Sequence, residues 1–182
     1  MNMDLSLTDG RRINNFRLRP RDIAYIAMFA AILFIQEEAL TFIPNVQLTI
    51  FLLILYSKKM GFFKTSLIIM IHVALDNLVM GSFNLFYTPA MFVGWMFIPV
   101  LVCTVGRKTE NVFLLGVIAI ISAFLYCWTF IIPNYIFYKI DPLIYLASDI
   151  IFELILAAVG FLTTVILYKP CSNIIKYFKI GE

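Results

Sequence analysis

Residues 112–132 read VFLLGVIAIISAFLYCWTFII, twenty-one positions without a charged side chain. A helix of that length rises about 30 Å, the thickness of a bilayer's hydrocarbon core, so the stretch reads as a membrane span. Comparable apolar runs occupy residues 23–42, 62–79, 85–105 and 143–168. A sixth run, residues 46–56, covers only about 16 Å at helical rise, and Pro44 and Asn45 before it predict a break. Non-helical backbone at membrane depth is tolerated where protein or a water-filled cavity satisfies it. This segment is therefore expected to line or cap a cavity open to the outside. Pro89, Gly94 and Pro99 are expected to loosen the span at 85–105, and Pro133 and Pro142 to bracket the following outer loop. Composition agrees, because 62% hydrophobic and 14% charged residues leave too few charges for a soluble surface, which needs about a quarter. The expected fold is an all-α integral membrane bundle of six transmembrane helices with an irregular or short second span. Residues 1–20 form a basic N-terminal segment, 21–170 the membrane domain and 171–182 a C-terminal tail.

The fourteen Lys and Arg residues orient this bundle. Threaded through six spans, one side receives Arg11, Arg12, Arg17, Arg19, Arg21, Lys58, Lys59, Lys64, Arg107, Lys108, Lys169, Lys176 and Lys179, and the other only Lys139. Positive charge accumulates on cytoplasmic loops, so both termini are expected in the cytoplasm, with the chain multi-pass in the membrane. The net charge of +3 is accounted for by this topology and by anionic lipid at the inner leaflet, and nucleic acid is not an expected partner. Cys103, Cys127 and Cys171 are odd in number and widely spaced, which supports neither a disulfide framework nor a metal motif. They are expected to pack. The first span follows about twenty polar and basic residues and has no small-residue cleavage pattern after it, so it is expected to be retained.

The other side holds six carboxylates to its one Lys. Glu37, Glu38, Asp76, Asp141, Asp149 and Glu153 all fall in the outer half or an outer loop. Ionisable side chains within spans are costly and normally face the bundle interior or water, which makes them candidates for function. Solvation at the interface is the plainer explanation for Asp141, and a competing one for Glu37 and Glu38. Two pairs, His72 with Asp76 and Asp149 with Glu153, are spaced i, i+4 and share one helix face. Asn45, Gln47, Asn77, Tyr87, Trp95, Tyr126 and Trp128 lie at comparable depth. Aromatic walls with a few convergent polar groups are the usual makeup of a small-molecule site, although interfacial Tyr and Trp also gather without any ligand. Trp95 lies mid-span, where the interfacial explanation fails and lipid-facing or pocket-lining positions remain. These residues together are the candidate substrate-binding set, with no catalytic residue and no metal ligand among them.

Ala24, Ala27 and Ala31 fall at i, i+3 and i+7 in the inner part of span one, a strip of small side chains that permits close helix approach. Packing inside its own bundle would explain the strip equally well. Together with the basic N-terminus, the Ala27-to-Ala31 spacing, the irregular segment that follows and six spans in under 200 residues, it resembles the substrate-binding S component of an energy-coupling factor transporter. The resemblance implies a subunit of a vitamin importer, of the ABC type, that holds a micronutrient from outside. Its implied partners are a transmembrane coupling subunit and two ATPase subunits, which use ATP; this chain would bind no cofactor. It also implies that Ala24, Ala27 and Ala31 dock the coupling subunit. Glu37, Glu38, Asn45 and Gln47, with Asp76, Asn77, Gly94 and Trp95, look most similar to the cobalamin-specific members.

The chemistry of the outer half narrows the ligand. Carboxylates without Lys or Arg offer no counter-ion to an anion, whereas they accept hydrogen bonds from amides and pair with cations. Cobalamin, thiamine or its precursors and an aminomethyl deazapurine therefore suit it better than folate, pantothenate, biotin or lipoate. An intramembrane enzyme is not expected: Glu37-Glu38 is similar to the glutamate pair of the CAAX-protease family, but the further residues of that motif are lacking and His72 is the single histidine. An autonomous proton- or cation-coupled carrier using Asp76, Asp149 and Glu153 is the other alternative, although no internal repeat accompanies it.

Overall fold

The computed structural model describes residues 18–79 and 83–177, so Arg11, Arg12, Arg17 and Lys179 lie outside the described residues. These form six helices: α1 (Pro20–Leu40), α2 (Thr49–Val79), α3 (Tyr87–Thr104), α4 (Val112–Thr129), α5 (Ile131–Tyr138) and α6 (Pro142–Tyr177). No strand occurs among the described residues. Five stretches are long and apolar enough to cross a membrane: Pro20–Leu40, Thr49–Val79, Tyr87–Thr104, Val112–Tyr138 and Pro142–Ile175. Large apolar side chains such as Ile35, Leu85, Phe113, Ile132, Ile151 and Ile166 face outward on all sides of the bundle. Such a surface would aggregate in water and is the natural contact for lipid tails. The chain is an all-helical membrane-spanning protein.

Helix α2 is two helices. A straight rod of its 31 residues would measure about 46 Å and hold Thr49 and His72 about 34 Å apart. Yet Thr49 Oγ1 and His72 Nε2 lie 3.3 and 3.1 Å from the same atom, Glu37 Oε2. The chain therefore doubles back, and it does so at Gly61, whose φ of 78° and ψ of 176° lie in a region open to glycine alone. The first arm, residues 49–60, is the short segment expected from the sequence. The break before it is also present: α1 ends at Leu40, and Asn45 adopts φ 58° in the connection.

Lipid supplies no hydrophobic drive for helices to associate, so close packing and interhelical hydrogen bonds hold the bundle. Helix α4 packs most extensively on α6, and α2 on α3. Trp95, Tyr56, Phe51 and Leu33 are fully buried at the centre. Gly94 does not loosen α3, contrary to expectation; it lets α4 come close, since a Cβ there would stand 2.7 Å from the Tyr126 ring and 2.9 Å from Thr129 Oγ1. Pro99 is likewise accommodated inside a continuous α3. Pro133 does not begin the outer loop either. It sits in the first turn of α5, where the missing N–H has no helical partner to lose, and the loop shrinks to residues 139–141.

The two ends of the bundle differ in charge. At one end Lys64 Nζ meets Asp22 Oδ1 at 2.8 Å, and Lys58 Nζ donates to the carbonyls of Gly106, Arg107 and Thr109 at 3.1, 3.1 and 2.7 Å. Lys58 also lies 3.7 Å from Glu110. The opposite end gathers Glu37, Glu38, His72 and Asp76.

Candidate ligand pocket

The site is built where α1 stops. Because residues 41–48 are not helical, the first turn of α2 is delivered beside the last turns of α1, and their polar groups interlock. Gln36 closes the joint from both sides: its Nε2 donates to Thr49 Oγ1 at 2.7 Å, and its Oε1 accepts from the Leu48 N–H at 2.7 Å. The Thr49 hydroxyl faces two acceptors, Gln47 Oε1 at 3.2 Å and Glu37 Oε2 at 3.3 Å. From the second arm of α2, fully buried His72 brings Nε2 to 3.1 Å from Glu37 Oε2, an ion-pair distance at an angle short of a hydrogen bond. One turn later Asp76 lies on the same face, buried, with Oδ1 lacking a hydrogen-bond partner; Glu38 Oε1 lacks one as well. An apolar bundle thus contains a patch of three carboxylates, Asp76 buried and Glu37 and Glu38 half-buried, with acceptor capacity left over.

Two hollows open on this patch. A cavity of 430 Å³ is lined by Asp76, Asn77, Asn84, Tyr87, Met91, Tyr126, Phe130 and Tyr138. A smaller one of 200 Å³ is lined by Glu37, Asn45, Gln47 and the backbone turn at residues 40–46. Tyr126 forms a wall of both. Its ring stacks on Trp95, centroids 3.8 Å apart and planes 22° from parallel, and Trp95 is wholly buried. Trp95 is thus neither lipid-facing nor a lining residue; it backs the wall. The mouth is braced by the Tyr87 hydroxyl donating to Asn134 Oδ1 and the Thr88 hydroxyl to Asn77 Oδ1, each at 2.7 Å. No Lys or Arg lines either hollow.

Glu37, Glu38, Asn45, Gln47, His72, Asp76, Asn77, Tyr87 and Tyr126 come together here, with Trp95 behind them. The remaining candidates lie elsewhere. Trp128 is 48% exposed and lines an apolar groove of 470 Å³ between α3, α4 and α5. Asp149 and Glu153 sit where α6 meets α4, beside Cys127. Ala24 and Ala27 are exposed and Ala31 half-buried, so the strip points away from the bundle, while its neighbour Ala30 packs inward. Sequence reasoning missed Thr49, Met91 and Phe130, which carry no signal in isolation because Thr, Met and Phe are common in spans. No family model, curated protein or solved structure matches this chain.

The arrangement can accept hydrogen bonds and balance positive charge while stacking an aromatic ring. It cannot neutralise an anion.

Proposed function

We propose that this chain is the substrate-binding membrane subunit of a micronutrient importer of the energy-coupling factor type, taking up a small cationic vitamin or vitamin precursor. The observation that carries the reading is the pair of hollows that meet at Tyr126, one lined by buried Asp76 and the other by half-buried Glu37, with buried His72 between the two carboxylates and no Lys or Arg in either lining. Counting the two arms of α2 separately makes six crossings, which supports termini on one side. By the positive-inside rule the end holding Lys58, Lys64, Arg107 and Lys108 is cytoplasmic, and the acidic hollow opens outward. Exposed Ala24 and Ala27, with half-buried Ala31 beside them, support docking of a transmembrane coupling subunit, through which two ATPase subunits supply ATP-driven release. The chain itself acts as no enzyme. Its place is a bacterial cell membrane.

Size selects among the expected ligands. Small-molecule sites run from about 300 to 1,000 Å³, and 430 Å³ suits one or two linked heterocycles. Thiamine, its precursors and an aminomethyl deazapurine fit both size and sign, whereas cobalamin requires the mouth to open.

The test is calorimetric binding of thiamine, an aminomethyl deazapurine and cyanocobalamin to the protein in lipid nanodiscs. One of the two cationic ligands is expected to bind, and Glu37→Gln and Asp76→Asn each to weaken it about tenfold or more, the cost of removing a charge-assisted bond. Tight cobalamin binding that tolerates both amides would replace the substrate and keep the pocket; cationic binding indifferent to both would refute the pocket. In proteoliposomes, uptake driven by a proton gradient without an ATPase partner would establish the autonomous carrier instead. Replacing Ala27 and Ala31 together by Trp is expected to abolish complex formation and leave binding intact.

A further inference from the structure

We propose that Cys127 of α4 and Asp149 and Glu153 of α6 form a binding site for a divalent transition cation of the zinc class, independent of the vitamin pocket. One ligand atom from each residue lies within 4.8 Å of the other two. Tetrahedral zinc holds oxygen ligands at about 2.0–2.2 Å and thiolate at about 2.3 Å, which sets ligand atoms about 3.5 Å apart, so closing this triangle around an ion shortens its edges by about 1.4 Å or less, within the reach of side-chain rotation. Asp149 and Glu153 are four residues apart and share the face of α6 turned to α4. The two helices approach closely because Gly116 leaves room for the Phe161 ring.

Acidic groups with a cysteine need something more before they count as a site, and Glu153 supplies it. Its side chain is 1% exposed, and Oε1 has no hydrogen-bond partner. The Trp128 indole N–H lies beside the carboxylate, and the Tyr145 hydroxyl donates to Asp149 Oδ2 at 3.4 Å. No basic side chain bonds to either carboxylate among the described residues. A buried carboxylate next to a second one demands compensation, and a cation held by both provides it directly. The donor set chooses the ion. Calcium and magnesium take shells of oxygen, whereas one sulfur with two carboxylate oxygens suits zinc or cobalt. Binding would release the Cys127 proton, since the thiolate is the ligand. Three protein ligands leave a fourth coordination position open. Tyr145, bonded to Asp149, is placed to orient that ligand.

Cobalt(II) is the probe, titrated into chelator-treated full-length protein in nanodiscs on a Cys103→Ser, Cys171→Ser background. One ion per chain is expected, with a sulfur-to-cobalt charge-transfer band that zinc displaces. Cys127→Ser should remove the band, and Glu153→Gln should weaken cobalt binding tenfold or more. Zinc should also raise the thermal midpoint of the unsubstituted protein where magnesium does not, a readout that needs no variant to fold. Absence of stoichiometric cobalt, or a band that survives Cys127→Ser, overturns the site; a neutral, protonated Glu153 would then explain its burial.

Discussion

Gly94→Ala tests whether the wall of the pocket is as tightly set as its geometry implies. The new methyl would stand 2.7 Å from Tyr126 Cδ2 and 2.9 Å from Thr129 Oγ1, both below any ordinary contact. The tyrosine ring is already stacked on Trp95 at 3.8 Å, and Trp95 has no exposed surface into which to retreat. Overpacking of this kind costs about 1–3 kcal/mol, while alanine regains about 1 kcal/mol of helix propensity over glycine. Because the ring cannot retreat, the overpacking cost belongs in the upper part of that range, about 2–3 kcal/mol, and the net expectation is a loss of about 1–2 kcal/mol. For a chain of this size that lowers the thermal midpoint by about 2–8 °C. Gly116→Ala is the internal control. Its methyl would also fall 2.7 Å from a ring, but that ring belongs to Phe161, which is half-buried where Tyr126 is stacked on a wholly buried tryptophan, so a smaller loss is expected. Thermal unfolding in nanodiscs gives the first readout. The second is the emission of Trp95, isolated by Trp128→Phe since the chain has two tryptophans, and it should change as the stack opens. A Gly94→Ala protein that melts with the parent and keeps its emission would refute the packing argument.

Gly61→Ala should destabilise the protein by about 1–3 kcal/mol through backbone strain alone, because nothing lies within 4 Å of a Cβ at that position. An unchanged midpoint would mean that the two arms of α2 are not joined through this conformation. Lys58→Met should cost about 1.5–3 kcal/mol by leaving three carbonyls of the loop at residues 106–109 without their charged donor, and equal melting of variant and parent would refute that role. In a cysteine-free background in sealed vesicles of known sidedness, a cysteine at Tyr135 should react with an impermeant maleimide from outside and one at Lys108 only after permeabilisation; the reverse pattern would invert the bundle and close the pocket to the outside.

The sequence by itself determined the solvent and the segmentation. Uncharged runs as long as a bilayer is thick have no other use, and the run at residues 112–132 needs no tertiary partner to be recognised. It also determined the break at Pro44 and Asn45, because a proline and a residue that tolerates positive φ interrupt a helix by local chemistry alone. What Gly61 does was decided by tertiary structure: glycine permits a left-handed turn without requiring it, and the reversal is visible only once Thr49 and His72 meet at one carboxylate. The same holds for the acidic residues. Chain order put Asp76, Asp149 and Glu153 at similar depth, but depth does not specify the angle at which a side chain leaves its helix. Packing turned Asp76 toward Glu37 and His72, and it turned Asp149 and Glu153 toward Cys127 on a different helix. Gly94 and Pro133, read as interruptions, became a close contact and a helix start for a related reason. Whether such a residue breaks a helix or fits within one depends on the neighbour it meets, and that neighbour lies far away in sequence.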